Sequence, residues 1–413
     1  MNIKSRLTVM SFLEFFVWGA WLITIANYWF GTKRWDPESF GIIFSTMGIS
    51  SLFMPALMGM VADRWINAER LFAILHILTG VALFFIPQIN DPHTFFWGML
   101  LAMIFYMPTI ALANSISYTA LKNKGLEVVK SFPPIRVFGT VGFIVAMWIV
   151  NLTGNKASEN QFYIASAAAI VLGLYALTLP KCPPLGAKAE KKSLMQTLGL
   201  DAFRLFKSKK MMLFFLFSMF LGAALQLTNM YGDTFLHEFQ HIPEYAGSLV
   251  VKYSTITMSI SQISETLFIL LIPFFMKRFG IKKVMMFSML AWVLRFAFFG
   301  FGNPTTGLWM IILSCIIYGM AFDFFNISGS LFVETTTEPK MRSSAQGLFM
   351  MMTNGFGAII GSLVSGFAIK RFFTAENGVK DWQSIWLVFA LYALIVGIAF
   401  TFLFKHKHEP QNT

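Results

Sequence analysis

Charge is scarce in this sequence. Of 413 residues only 13% are Asp, Glu, Lys or Arg, too few to wet the surface of one or two water-soluble domains of that length. Cysteine is scarcer still. Cys182 and Cys315 stand far apart with no CxxC spacing, which excludes a disulfide framework and a zinc knuckle and leaves two unpaired thiols. Histidine numbers six, and of these only His76 falls inside a long apolar run, so an intramembrane hydrolase would lack its base or metal ligands. Apolar side chains, by contrast, make up 56% of the chain, with 47 Phe, 26 Met and 11 Trp. Lipid solvates such residues with no soluble core at all, and the composition points to an all-α membrane protein.

A spanning helix needs about 20 apolar residues, because the hydrocarbon is roughly 30 Å thick and a helix rises 1.5 Å per residue. Twelve stretches qualify: 7–30, 40–62, 70–88, 94–120, 134–154, 161–180, 211–236, 249–276, 283–302, 307–332, 344–372 and 383–405. They are numbered here as helices 1 to 12. The first run, from Leu7, is longer than a signal-peptide core and shows no small-residue cleavage site, so it reads as a retained helix.

The formal charge of +12 would suggest nucleic acid in a soluble protein, but here the cations sit in short connections. With the N-terminus inside, the even-numbered connections and both tails hold 24 of the 32 Lys and Arg, the odd-numbered ones hold seven, and Arg295 alone lies deep in a helix. Both termini are therefore expected on the cytoplasmic side. The stretch 181–210 carries eight of these cations against Glu190 and Asp201 and divides the chain into two halves of similar length. The expected organisation is a six-helix bundle over 1–180, a cytoplasmic linker over 181–210, a second six-helix bundle over 211–405 and a tail over 406–413. Within the linker, Ser193 to Phe206 has apolar residues at helical spacing, which suits a short helix on the membrane surface.

Cationic turns after helix 2 (Asp63, Arg64) and helix 8 (Lys277, Arg278) recur half a chain apart. Six plus six helices with matching turns resembles the major facilitator superfamily, and the GxxxDR spacing of Gly59, Asp63 and Arg64 agrees with that superfamily's cytoplasmic gate motif.

An ionisable group inside a span costs several kcal/mol unless it meets water or a partner, so the few present are functional candidates. Glu14, Glu265, Arg295 and Asp323 lie well inside spans, and Arg136 lies near the start of helix 5. On helix 8, Ser254, Ser261 and Glu265 share a stripe with Gln262 beside it, a stripe expected to face water or substrate. Helix 10 places Tyr318, Phe322 and Asp323 within one and a half turns. Gln226 and Asn229 share a face of helix 7, and Arg136, Thr140 and Phe143 share one of helix 5. Arg295 has two readings: it neutralises Glu265 or Asp323, or it ties helices together. Amides, carboxylates and aromatic faces suit a neutral ligand with vicinal hydroxyls and a flat heterocycle, and a carboxylate in low dielectric is able to carry a proton across.

The stretches FPPIRVFGTVGFI (Phe132 to Ile144), SISQISETLFI (Ser259 to Ile269), AFDFFNISGSLFVE (Ala321 to Glu334) and QGLFMMMTNGFG (Gln346 to Gly357) resemble the proton-coupled nucleoside symporters of the facilitator superfamily. That resemblance implies a substrate cavity formed by Arg136, Thr140, Phe143, Gln226, Asn229, Gln262, Glu265, Tyr318, Phe322 and Asp323, with Asn354 of helix 11 as a further member. It implies Asp323 as the coupling carboxylate, Glu265 holding the sugar, and a monomer in the lipid bilayer of a bacterial cytoplasmic membrane, with no nucleic acid, metal or cofactor. Glu14 is a charge the family does not require, and it leaves a second protonation site or an altered selectivity open. The alternative is a facilitator-type proton symporter of another polar solute such as a sugar or disaccharide. His237, Glu238 and His241 spell the HExxH of zinc peptidases, but Pro243 interrupts the helix that would bring a third ligand.

Overall fold

The computed structural model describes residues 2–184, 200–338 and 341–406. The chain divides into two compact units, Met1–Leu198 and Gly199–Thr413. In the first unit the helices are α1 (Ile3–Gly19), α2 (Pro37–Arg64), α3 (Ala68–Phe85), α4 (Pro92–Asn123), α5 (Val128–Leu152) and α6 (Asn160–Ala176). The second begins with α7 (Lys209–Glu238). The continuous run Ser254–Phe301 breaks at Gly280, whose φ of 75° is open to glycine at little cost, into α8 (254–279) and α9 (281–301). Then come α10 (Leu308–Thr336), α11 and α12 (Trp382–Leu403). Helix α11 joins Arg342–Met350 and Ala358–Phe372 through a π-helical turn at Met351–Gly357.

Among the described residues, nine helices are long and apolar enough to cross a membrane, one of them being the double run broken at Gly280. Adding α1 and α6, each 17 residues long, gives twelve spans. Helix starts are written locally. Asp36 accepts the amide N–H groups of Glu38 and Ser39 at 3.1 Å with Pro37 at the first turn, and Asp91 accepts that of Thr94 at 2.8 Å with Pro92 beside it. The Thr94 amide holds the Asp91 carboxyl below the usual carboxylate range.

The same pairing recurs in both units. Helix α1 packs on α5, α2 on α4 and α3 on α6, while α7 packs on α11, α8 on α10 and α9 on α12. Apolar side chains gain little from leaving lipid for one another, so close backbone approach through small residues supplies the dispersion contact. At the α1–α5 seam, a methyl on Gly142 would overlap the Phe12 carbonyl and one on Gly19 would sit 2.5 Å from the Phe143 carbonyl. At the α7–α11 seam, Gly222 meets the Thr353 carbonyl and Gly361 the backbone of Ala223. Cross-helix hydrogen bonds complete the seams: the Ser166 hydroxyl donates to the Gly80 carbonyl at 2.7 Å, and that of Tyr392 to the Phe220 carbonyl at 2.7 Å.

Three expectations are corrected or narrowed. The run 7–30 is not one helix: α1 stops at Gly19, and a short helix (Ile25–Asn27) and a π-helical turn (Tyr28–Thr32) follow an irregular bend. The bend coincides with Thr24, whose hydroxyl donates to Gln161 Oε1 of α6 at 2.9 Å, a tertiary anchor that hydropathy does not register. The expected surface helix from Ser193 to Phe206 falls partly outside the described residues; the described part, Leu200–Lys207, is a 3-10 helix. The stripe of Ser254 and Ser261 does not face an aqueous opening, since the two are 0% and 1% exposed inside the packed unit.

After α6 the chain is tied back at Cys182, whose amide donates to Glu69 Oε2 at 2.8 Å. Burial pushes the Cys182 thiol up to about 11 from an ordinary 9.0, with the Glu69 charge adding to the effect. At pH 8 its thiolate fraction is about a hundredfold below that of an unperturbed cysteine. N-ethylmaleimide should label Cys182 correspondingly slowly, read by mass spectrometry, and Glu69→Gln should speed labelling. A wild-type rate equal to that of an exposed thiol would refute the burial.

The seams make a second prediction. Gly142→Ala and Gly222→Ala force their helices apart and should each cost about 1 to 3 kcal/mol, seen as a lower Tm in detergent. Gly59→Ala, with nothing within 4 Å of the added methyl, should leave Tm unchanged.

Candidate functional site

In the first unit, α5 carries Arg136, Thr140 and Phe143, and the first and last of these meet α1. The Arg136 guanidinium lies 3.9 Å from the centre of the Phe15 ring, close enough for a cation–π contact. Gly139 makes that possible, because a methyl there would meet both the Phe15 ring and Arg136 Nη1. Phe143 is buried and meets the Trp18 indole edge-on, ring centres 6.5 Å apart, while Thr140 is half-buried beside it. Trp18 Nε1 is a buried donor with no hydrogen-bond partner, which adds an available N–H at the Phe143 face. Sequence reasoning missed Trp18 among so many aromatics.

In the second unit, α8 and α10 touch at backbone level where Gly319 faces Ser264 and Glu265, and the Ser264 hydroxyl donates to the Ile316 carbonyl. This close approach sets Glu265 beside the Tyr318 and Asp323 segment. The Tyr318 ring stacks on Phe322 at 6.5 Å with planes 11° apart and is met edge-on by Trp292 at 6.0 Å. The charges of Glu265, Arg295 and Asp323 all act on Tyr318. Asp323 itself is 4% exposed. Helix α7 brings Gln226, buried, and Asn229, half-buried. The carbonyl oxygens of Gln226 and Gln262 have no hydrogen-bond partner, an unusual condition for buried amides and one a ligand donor would relieve.

Asn354 sits in the π-helical turn of α11 and shares a small cleft with Phe322, Trp292, Gly222 and Thr353. π-turns inside helices mark functional sites more often than chance, because one residue is pushed out of register. Asn326 lines this cleft and also a larger cavity of about 510 Å³, bounded by Ser330, Glu334 and Gln346. Ser330 and Gln346 are joined by two hydrogen bonds, and Glu334 pairs with Arg342 at 3.0 Å. The stripe Phe322, Asn326, Ser330 and Glu334 runs at four-residue spacing down α10, and its last three members escaped sequence reasoning. The spacing alone would have found them.

Arg295 ties four helices together. From α9, its Nε donates to the Thr228 hydroxyl of α7 at 3.1 Å, and its Nη1 to the Ser261 hydroxyl of α8 at 3.3 Å and the Ser314 carbonyl of α10 at 2.8 Å. The guanidinium also lies 4.5 Å from the Tyr318 ring centre. Ser261 thus serves as an acceptor inside the unit.

The gate-motif residues Gly59, Asp63 and Arg64 occupy the last two turns of α2, with Asp63 exposed. Glu238 of the HEFQH stretch is committed elsewhere, to Lys380 Nζ at 2.7 Å and Trp382 Nε1 at 2.6 Å. No group of three metal-ligating side chains occurs among the described residues.

Twelve spanning helices in two six-helix units, with carboxylates and amides held inside the second, define a transporter of the major facilitator fold. The chain matches the nucleoside H+ symporter family over residues 1–409, and it belongs to that family. It is 53% identical to the xanthosine permease of Escherichia coli (strain K12) over 100% of this chain and 98% of that protein. It is 51% identical to the nucleoside permease NupG of the same organism, over 99% of this chain and 97% of that protein. The crystal structure of nucleoside transporter NupG (D323A mutant) superposes with a TM-score of 0.95 at 51% identity, covering 98% of this chain and 100% of that one. The protein is accordingly a transporter and not an enzyme.

Arg295→Ala should unfold the second unit more readily, because it strands neutral acceptors on α7, α8 and α10, at a cost of about 1 to 3 kcal/mol. Arg295→Lys should recover only part, since an ammonium cannot reproduce the planar fork. Thermal unfolding in detergent reads both, and an unshifted Tm for the alanine variant would refute the tie.

Proposed function

We propose that this protein takes up nucleosides across a bacterial cytoplasmic membrane together with protons, by alternating access, as a monomer with both termini in the cytoplasm. Asp323 carries the reading of coupling. It is buried midway along α10, next to a Phe322 ring stacked on Tyr318, and with Glu265 it acts on the same tyrosine. A carboxylate there is neutral when protonated and tolerates a low-dielectric wall; once ionised it needs water or a donor. The proton therefore decides which arrangement of the site is stable.

Each group has a part. Asp323 takes up and releases the proton, and Glu265 accepts ribose hydroxyls and supports coupling. Tyr318 and Phe322 offer a stacking face for the base. Gln226, Asn229, Gln262 and Asn354 supply paired donors and acceptors, favoured at Gln226 and Gln262 by carbonyl oxygens without partners. In the first unit, Arg136, Thr140 and Phe143 offer a guanidinium, a hydroxyl and an aromatic face to a nucleoside, and Gly59, Asp63 and Arg64 form a cytoplasmic gate turn. With one proton per nucleoside, each unit of pH gradient supports about tenfold accumulation, or about 1.4 kcal/mol.

Proteoliposomes with an acidic exterior should accumulate labelled uridine. Excess nucleosides should compete, sugars should not, and a protonophore should abolish accumulation. Asp323→Asn should lose accumulation at least tenfold. Full retention would remove Asp323 from coupling, and competition by sugars would overturn the substrate class.

A further inference from the structure

One titratable cluster lies outside the groups used so far. Glu14 of α1 and His76 of α3 are both fully buried, and Glu14 Oε2 meets His76 Nε2 at 2.7 Å. The other carboxylate oxygen, Oε1, is 2.8 Å from the Thr109 hydroxyl of α4, and the Tyr106 hydroxyl donates to the Glu14 carbonyl at 2.8 Å. His76 Nδ1 has no hydrogen-bond partner. Taking a carboxylate and an imidazole out of water costs several kcal/mol, so a fully buried pair of this kind is a functional candidate.

The geometry of Thr109 shows what the cluster can do. Its oxygen lies 2.8 Å from Glu14 Oε1 and 2.6 Å from the Tyr106 carbonyl, and its one proton can point to either. With Glu14 ionised, the hydroxyl donates to Oε1 and the imidazole donates through Nε2. When a proton is added on Oε1, that O–H donates to the threonine oxygen, the threonine proton turns to the Tyr106 carbonyl, and the imidazole donates to Oε2 as before. No heavy atom moves, and both states keep these hydrogen bonds. The net charge of the pair changes from −1 to 0.

We propose that Glu14, with His76 and Thr109, is a second proton-binding site, within the first unit, whose occupancy tunes how Arg136 and Phe143 meet the nucleoside. The link is short. Arg136 lies over Phe15, the neighbour of Glu14, and both charges act on Tyr106, whose ring is 5.9 Å from that of Trp18, itself in contact with Phe143. Two other ionisable groups on the surrounding helices have partners of their own. Glu69 of α3 binds the Cys182 amide, and Tyr175 of α6 donates to the Arg6 carbonyl.

The inference rests on the nucleoside–proton reading, and the experiment separates the two. Titration calorimetry of uridine binding to the full-length protein, in buffers of different ionisation enthalpy from pH 5 to 8.5, counts the protons taken up with the ligand. The wild type should show at least two titrating groups, Asp323→Asn one fewer, and Asp323→Asn with Glu14→Gln one fewer again. Thr109→Val, which keeps Glu14 and His76 in place, should move one midpoint by more than half a pH unit, and it decides the matter if the Glu14→Gln protein does not fold. Proton uptake that disappears with Asp323→Asn alone, or midpoints unmoved by Thr109→Val, would overturn the second site and leave the symport reading standing. A wild type that binds uridine with no proton uptake at all would overturn both.

Discussion

No water reaches the hydrocarbon core to satisfy a polar group, and that constraint orders this structure. Backbone groups are closed into helices, and every polar side chain between them must find a protein partner, a cavity or a ligand. Arg295 finds partners on three neighbouring helices in addition to its own and becomes a structural knot. Glu14 finds an imidazole and a hydroxyl. Gln226 and Gln262 leave their carbonyl oxygens without a hydrogen-bond partner, and the proposed contact with a ligand rests on that.

The constraint also shapes the seams. Because lipid is as apolar as leucine, helices associate where backbones come closest, and glycines at 142, 222 and 361 permit that approach in corresponding seams of the two units. Tight α1–α5 and α7–α11 pairs give each unit a stiff face on which Arg136, Phe143, Gln226 and Asn354 are carried. The break of α1 after Gly19 and the π-turn of α11 fall within these elements, and the open φ of Gly280 separates α8 from α9.

The sequence by itself determined the spans, since hydropathy over about 20 residues and Asp–Pro starts at 36–37 and 91–92 are local properties. It also determined the family, through stretches of helices 5, 8, 10 and 11, and it singled out the mid-span polar residues, because any such residue is costly in lipid. What it could not hold was the identity of their partners. Ser254, Ser261 and Glu265 share one helical stripe, yet the two serines turn into the unit and only Glu265 remains half-buried beside Tyr318; which way a stripe faces depends on the helix across from it. Arg295 near Thr228, and Glu14 near His76 and Thr109, are contacts between residues 62 to 95 positions apart, and only the tertiary structure decides them, because hydrogen bonds require atoms within about 3 Å and no periodicity along the chain encodes that distance.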